Sequence, residues 1–253
     1  MSNVQSVERA LIILETLSQA QRGMSVKEIS NKVDLAKSTT HRLLTTLMSK
    51  GYVIQNNEND DYLLGLKLVE ISSSILENLD IRSYAKDALE HLSDVTNESV
   101  HLCIHENGEV VYIDKFEGNH TIRMHSRIGK RGMMHCTGVG KILLSGMTEE
   151  EISNIIRKKG LPKLTSKTIT DTETLYKRLE KIRADGYDID DIENEEGIRC
   201  MAAPIFNHRG EIIAAFSISG PEMRITKERI ESELKKLILE TSTLISQKMG
   251  YTR

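Results

Sequence analysis

Along the first 65 residues, apolar positions recur every three or four residues. Val7, Leu11, Leu14 and Leu17, with Ala10 beside them, predict a first helix that Gly23 closes. "SVKEISNKV" predicts a short second helix: Ser25 and Glu28 have capping-box spacing, and Val26, Ile29 and Val33 form one stripe. After a turn at Asp34 and Leu35, residues 36–50 predict a third helix. On a helical wheel, Ala36, Thr40, Leu43, Leu44, Leu47 and Met48 share one side and Lys37, Ser38, His41, Arg42, Thr45 and Thr46 the other. Gly51 stops this helix, and "YVI" and "YLL" flank the polar turn "QNNENDD" as a small hairpin. Three helices and a hairpin in so short a span predict a winged helix-turn-helix over residues 1–65.

The pattern then changes twice. Leu68, Ile71, Ile75 and Leu79 mark a linker helix over 66–80 with a stripe suited to a partner. From 81 onward the chain predicts a helix to about 95, strands "SVHLCIH" and "EVVYIDKF" around Asn107 and Gly108, and a strand "TIRMHS". Charged helices follow at about 149–159 and 172–185. Strands "CMAAPIF" and "EIIAAFSIS" then flank Arg209 and Gly210, and a last amphipathic helix covers about 226–248. Hairpins between helices predict an α+β domain over 81–253, built on an antiparallel sheet.

A length of 253 residues suits two domains, and 39% hydrophobic with 28% charged residues suits a soluble globular protein. No apolar run approaches the ~18 to 20 residues that span a bilayer, and the N-terminus has no basic leader, so a cytoplasmic protein is expected. Three irregularly spaced cysteines, Cys103, Cys136 and Cys200, fit reduced thiols better than a disulfide framework or zinc finger. The formal charge of −3 gives no global attraction to polyanions, so contact with nucleic acid requires a local patch.

Such a patch is at hand. No carboxylate lies between Asp34 and Glu58, while Lys37, His41, Arg42 and Lys50 do. DNA phosphates repel acids and accept from Lys, Arg, Ser and Thr, so an acid-free helix face preceded by a helix and followed by a wing is what major-groove docking requires. The candidate contacts are Lys37, Ser38, Thr39, Thr40, His41, Arg42 and Thr45. "SVERALIILETL", "SVKEISNKVDLAKSTTHRLLTTLMSKGYV" and "YLLGLKL" resemble the DNA-binding region of the IclR family of bacterial transcriptional regulators. "HCTGVGKILL", "GYDIDDIENEEGIRCMAAPI" and "AAFSISGP" resemble that family's effector domain, in the same order over nearly the whole chain.

That resemblance implies a GAF-like effector domain without a cofactor, a near-palindromic double-stranded DNA operator, a homodimer or tetramer, and a small organic acid (keto, sugar or aromatic) as ligand. The implied ligand contacts are Gly138, Val139, Asp190, Cys200, Ser217 and Ser219, with Met124, Met133 and Ile198 as apolar lining. Ile192 stands where many relatives carry an acid.

The residues themselves support part of this. Gly138 and Gly140 open an apolar helical run, which leaves backbone N–H groups free for a carboxylate; a plain glycine entry to a packed helix fits the same residues. A phosphate-binding P-loop does not fit, because His135 and Ile142 stand where that motif needs Gly and Ser or Thr. Ser217 and Ser219 share a strand face, whether toward a ligand or as an exposed sheet face. Read blandly, "DIDDIENEE" is a solvated loop and Cys200 a small core residue. His101, Cys103 and His105 alternate on one strand, but same-face neighbours lie about 7 Å apart, so sheet packing is favoured over a metal site. Cys136 beside His135 has no orienting third group, which makes an enzyme with an accessory DNA-binding module the weaker alternative.

Overall fold

The computed structural model describes residues 4–20, 22–76, 80–118 and 126–252, and divides into two compact units, Met1–Leu79 and Asp80–Arg253. The first contains α1 (Gln5–Ser18), α2 (Val26–Lys32), α3 (Lys37–Ser49), the hairpin β1 (Val53–Gln55) and β2 (Tyr62–Leu64), and α4 (Lys67–Leu76). The Ser25 hydroxyl and the Glu28 carboxylate cap α2 reciprocally, as their spacing predicts. Gly51, at φ +77°, ends α3 in a backbone conformation that other residues adopt only with strain.

Two details of this unit differ from the pattern read in the sequence. The core takes Ile13 and Leu17 from α1, with Met24, Ile29, Leu44, Leu47, Val53 and Tyr62, while Val7 and Leu11 lie more than half exposed. Helix α1 also ends at Ser18, well before Gly23. A Cβ on Gly23 would stand 2.8 Å from that of Asp61, so this glycine permits the close approach of the segment that bridges Met24 to Tyr62 in the wing. Leu79 and the side chain of Ile75 in the expected linker stripe lie outside the described residues.

The second unit runs α5 (Ile81–Thr96), β3 (Ser99–Glu106), β4 (Glu109–Phe116), β5 (Arg131–Met133), α6 (Gly138–Ser145), α7 (Glu149–Lys159), α8 (Thr172–Asp185), β6 (Asp188–Asp191), β7 (Ile198–Phe206) and β8 (Ile212–Pro221). It closes with α9 (Lys227–Arg229), a π turn over Ile230–Leu234, and α10 (Lys235–Lys248). The six strands form one antiparallel sheet in the order β5-β4-β3-β8-β7-β6. Alternation along the strands gives it two faces. Val100, Leu102, Met201, Ala203, Phe216 and Ile218 point one way, beneath α5 and α10. Cys103, Ala202 and Ala215 point the other way and join the buried faces of α6 and α8, among them Ile142, Leu143, Leu175 and Leu179. The expected strand 121–126 begins at residues outside the described set, whereas β5 and β6 were not foreseen.

Candidate DNA-recognition helix and effector site

On α3 the wheel predicted from the sequence is largely realised. Lys37, Ser38, His41, Arg42 and Thr45 are exposed, Thr39 is half-buried, and Leu44 and Leu47 are in the core. Thr40 is a correction to the candidate set: it is fully buried and its hydroxyl donates back to the Ala36 carbonyl at 3.3 Å, so its side chain packs inward. Its place on the apolar side of the wheel already pointed there. Among the described residues, the exposed face of α3 carries cations and hydroxyls without a carboxylate, which suits a polyanion.

In the second unit, register brings distant residues together. Asp190 on β6 faces Cys200 on β7, and Cys200 faces Ser219 on β8. One row along, Asp188 faces Ala202, and Ala202 faces Ser217. All of these point to one face of the sheet. A Cβ on Gly138 would lie 3.1 Å from that of Ala202 and 3.7 Å from that of Asp190, so α6 begins directly over this face. Gly140 admits no side chain at all, since its Cβ would stand 2.4 Å from the Met134 carbonyl oxygen.

The first turn of α6 then has a specific hydrogen-bond pattern. The Gly140 N–H donates to the Thr137 hydroxyl at 3.1 Å and the Lys141 N–H to the Thr137 carbonyl at 3.0 Å, while the Gly138 and Val139 N–H groups have no acceptor among the described residues. Such groups at the positive end of a helix stabilise an anion. Val139's own side chain is in the core, so its polar contribution here is the N–H alone. Met133 and Ile198 are half-buried, Met133 in the strand before the α6 turn and Ile198 two residues before Cys200 on the same sheet face. Met124 lies outside the described residues.

The acidic run reads differently in the structure. Asp188 and Asp190 are 1% and 2% exposed, held in β6 rather than a solvated loop. Asp190 Oδ1 accepts from the Glu193 and Asn194 N–H groups at 2.7 and 3.3 Å, which fixes the turn through Ile192. Ile192 there adopts φ +67°, a conformation a β-branched residue enters only with strain, and Thr165 Oγ1 donates to its carbonyl at 2.6 Å. Burial pushes the Asp190 carboxyl up to about 7, against the pull of Lys141 and the turn's N–H groups.

Sequence reasoning missed Lys141. It is fully buried, its ammonium 3.1 Å from Asp188 Oδ2 and 2.5 Å from Glu193 Oε1, and Arg178 reaches Asp188 Oδ1 at 2.6 Å. Burial opposes its charge, yet Asp188 and Glu193 outweigh burial and hold its proton more firmly than usual. Nothing in "GKILL" alone says that a lysine turns inward; the nearby excess of acids was the available signal.

Two other candidate clusters come apart. His101 Nε2 meets Ser126 Oγ at 2.6 Å, His105 Nε2 accepts from the Gly108 N–H at 2.9 Å, and Cys103 lies in the core. His135 Nε2 meets the Pro162 carbonyl at 3.0 Å, while the Cys136 thiol faces Asn194 Oδ1 at 3.7 Å and is pushed up to about 12 by burial and by Asp190. The two side chains of that pair do not meet as nucleophile and base.

A winged helix with an acid-free face on α3, followed by an α+β unit, is the arrangement of a DNA-binding regulator with an effector domain. Residues 6–57 match the IclR helix-turn-helix domain and residues 73–247 the bacterial transcriptional regulator IclR C-terminal domain. The chain belongs to the IclR family, whose named relatives are transcriptional regulators and not enzymes. It is 37% identical to the HTH-type transcriptional regulator KdgR of Escherichia coli over 249 residues, covering 98% of this chain and 94% of that one. It is also 37% identical to the regulator XynR of Escherichia coli over 251 residues, 99% of each chain. The crystal structure of the Agobacterium tumefaciens repressor BlcR superposes with a TM-score of 0.83 at 29% identity, over the full length of both chains.

Proposed function

We propose that this protein is a cytoplasmic repressor that binds a near-palindromic operator through α3 and senses a small organic acid in its second unit. The observation that carries the sensing role is the placement of Gly138, which with Val139 has an N–H group without an acceptor among the described residues, beside the sheet face that carries the buried Asp190, Ser217 and Ser219 and the half-buried Cys200. The carboxylate sits on the N–H groups. Ser217 and Ser219, whose hydroxyls lie 3.2 Å apart, take the ligand's further oxygens together with Asp190, and Met133 and Ile198 line the rim. On DNA, the contacts are Lys37, Ser38, Thr39, His41, Arg42 and Thr45. BlcR's description as a repressor supports that sign of regulation here.

The working unit is a homodimer or tetramer. Val7 and Leu11 of α1, 56% and 54% exposed, border an apolar groove of about 490 Å³ between α1 and α3, a surface that a second copy covers better than water does. Light scattering should show a dimer or larger at micromolar concentration, and a monomer in both the presence and absence of DNA defeats this part of the reading. For the ligand, a thermal-shift screen of keto, sugar and aromatic acids should raise the melting temperature with at least one acid, since binding to the folded state alone stabilises it. Loss of that shift in Ser217→Ala supports the site; an undiminished shift removes it.

A further inference from the structure

The face that carries Ser217 and Ser219 continues one strand further, onto β3, where His101 stands directly opposite Ser217. His101 is 2% exposed, and its Nε2 is occupied by the Ser126 hydroxyl at 2.6 Å. Its ring meets Tyr112 edge-on, with centroids 5.3 Å apart and planes at 81°. Its Nδ1 is a buried polar atom with no hydrogen-bond partner among the described residues. Among the described residues the other two such atoms, on Asp188 and Glu193, belong to the acid cluster around the Lys141 ammonium; His101 Nδ1 has no comparable assignment. Burial first, then Lys115 and Lys130, hold the ring down to about 3, so it is neutral under working conditions. A buried polar atom without a partner is costly and rare in folded proteins, and a ligand atom is one way to satisfy it.

We propose that His101 Nδ1 contacts the end of the effector remote from its carboxylate, which makes the effector a hydroxylated acid of about four to six carbons. This rests on the ligand site described above. The length follows from the sheet. Gly138 lies over Ala202 on β7, which faces Ser217 on β8, which faces His101 on β3, so two strand spacings of about 4.8 Å separate the two ends of the site. Hydrogen bonds approaching obliquely at each end leave roughly 5 to 7 Å for the ligand, more than a two- or three-carbon keto acid covers. The hydroxyl follows from the ring. Either nitrogen of a neutral imidazole carries the proton, and the Ser126 hydroxyl accepts both arrangements, so Nδ1 either donates or accepts. A ligand hydroxyl meets both needs; a carboxylate oxygen or a methyl group does not.

The test is calorimetric titration of the full-length protein and its His101→Leu, His101→Gln and Ser217→Ala variants. The probes are three six-carbon hydroxy acids (gluconate, galactonate and glucuronate), hexanoate for length without hydroxyls, and pyruvate for a carboxylate alone. Wild type should bind at least one hydroxy acid more tightly than hexanoate or pyruvate. His101→Leu should lower that affinity about 5- to 150-fold and leave pyruvate binding unchanged, while His101→Gln, which keeps a polar atom, should recover part of the loss. Circular dichroism confirms that the variants fold, and if His101→Leu does not, His101→Gln decides alone by the size of its loss relative to pyruvate. Full hydroxy-acid affinity in the folded His101 variants, with loss in Ser217→Ala, overturns the role of His101 and leaves the site standing. Full affinity in Ser217→Ala as well overturns the site itself. Failure of all three hydroxy acids to bind wild type, or equal binding of hexanoate, overturns the proposed ligand class.

Discussion

Lys141 shows how one buried charge shapes the molecule. Removing a single partner of a buried ion pair leaves the rest uncompensated, at a cost of roughly 3 to 5 kcal/mol. Lys141→Met should lower the urea midpoint accordingly, whereas Lys177→Ala, which breaks an exposed pair with Glu173 on α8, should leave it unchanged. Asp190 carries a pH dependence of known sign. Its folded carboxyl, raised to about 7, holds a proton more tightly than the unfolded chain does at about 3.9. Its contribution to stability is therefore full below about pH 4 and is lost as pH rises through about 7. Denaturation of wild type and Asp190→Asn should show that slope in wild type only; equal slopes contradict it. An anion seated beside Asp190 is repelled once that carboxyl ionises, so ligand affinity should also weaken above about pH 7 in wild type and not in Asp190→Asn. At this scale the family resemblance points to Gly138, Ser217, Ser219 and Asp190, whereas the acidic run read by itself is a solvated loop. The burial of Lys141 and the placement of His101 opposite Ser217 are not legible in the sequence, because the one depends on α6 packing over Asp188 of β6 and the other on the pairing of β3 with β8, which no local pattern encodes.

Elements were more legible than single residues. Helices α7 and α8 and strand β4 occupy the spans their periodicity predicts, because each has clear caps or turns: Thr148 and Glu151 form a capping box, and Asp171 caps α8. Strands β5 and β6 were missed for opposite reasons. The first is only three residues long, and the second alternates acids that read as solvated until Lys141, Arg178 and Arg199 are found beneath and beside them. The exposure of Val7 and Leu11 was also hidden, since an apolar stripe looks the same whether it meets the chain's own core or another surface. Two expectations belong here. Ser25→Ala removes the side-chain half of the α2 cap and should cost about 1 kcal/mol of stability in chemical denaturation. Lys37→Ala and Arg42→Ala on α3 should each weaken operator binding and reduce its salt dependence, with phosphate contacts as the cause. Unchanged anisotropy titrations at moderate salt contradict the assignment of α3 as the reading helix.

For the whole molecule, the claim is that two sites in separate units share one free-energy balance. Gly138, Val139, Ser217 and Asp190 lie in one unit and Lys37 and Arg42 in the other. Coupling must then be expressed as a change in binding constants. If the acid changes operator affinity by some factor, the operator changes acid affinity by the same factor. The direct test is calorimetric titration of the effector into the full-length protein, free and saturated with operator, alongside titration of operator with and without effector. The account predicts that the two ratios agree and differ clearly from one, with the acid binding more weakly to the operator complex if it relieves repression. Equal acid affinity in the free and operator-bound protein contradicts the switch, even if both binding events are real.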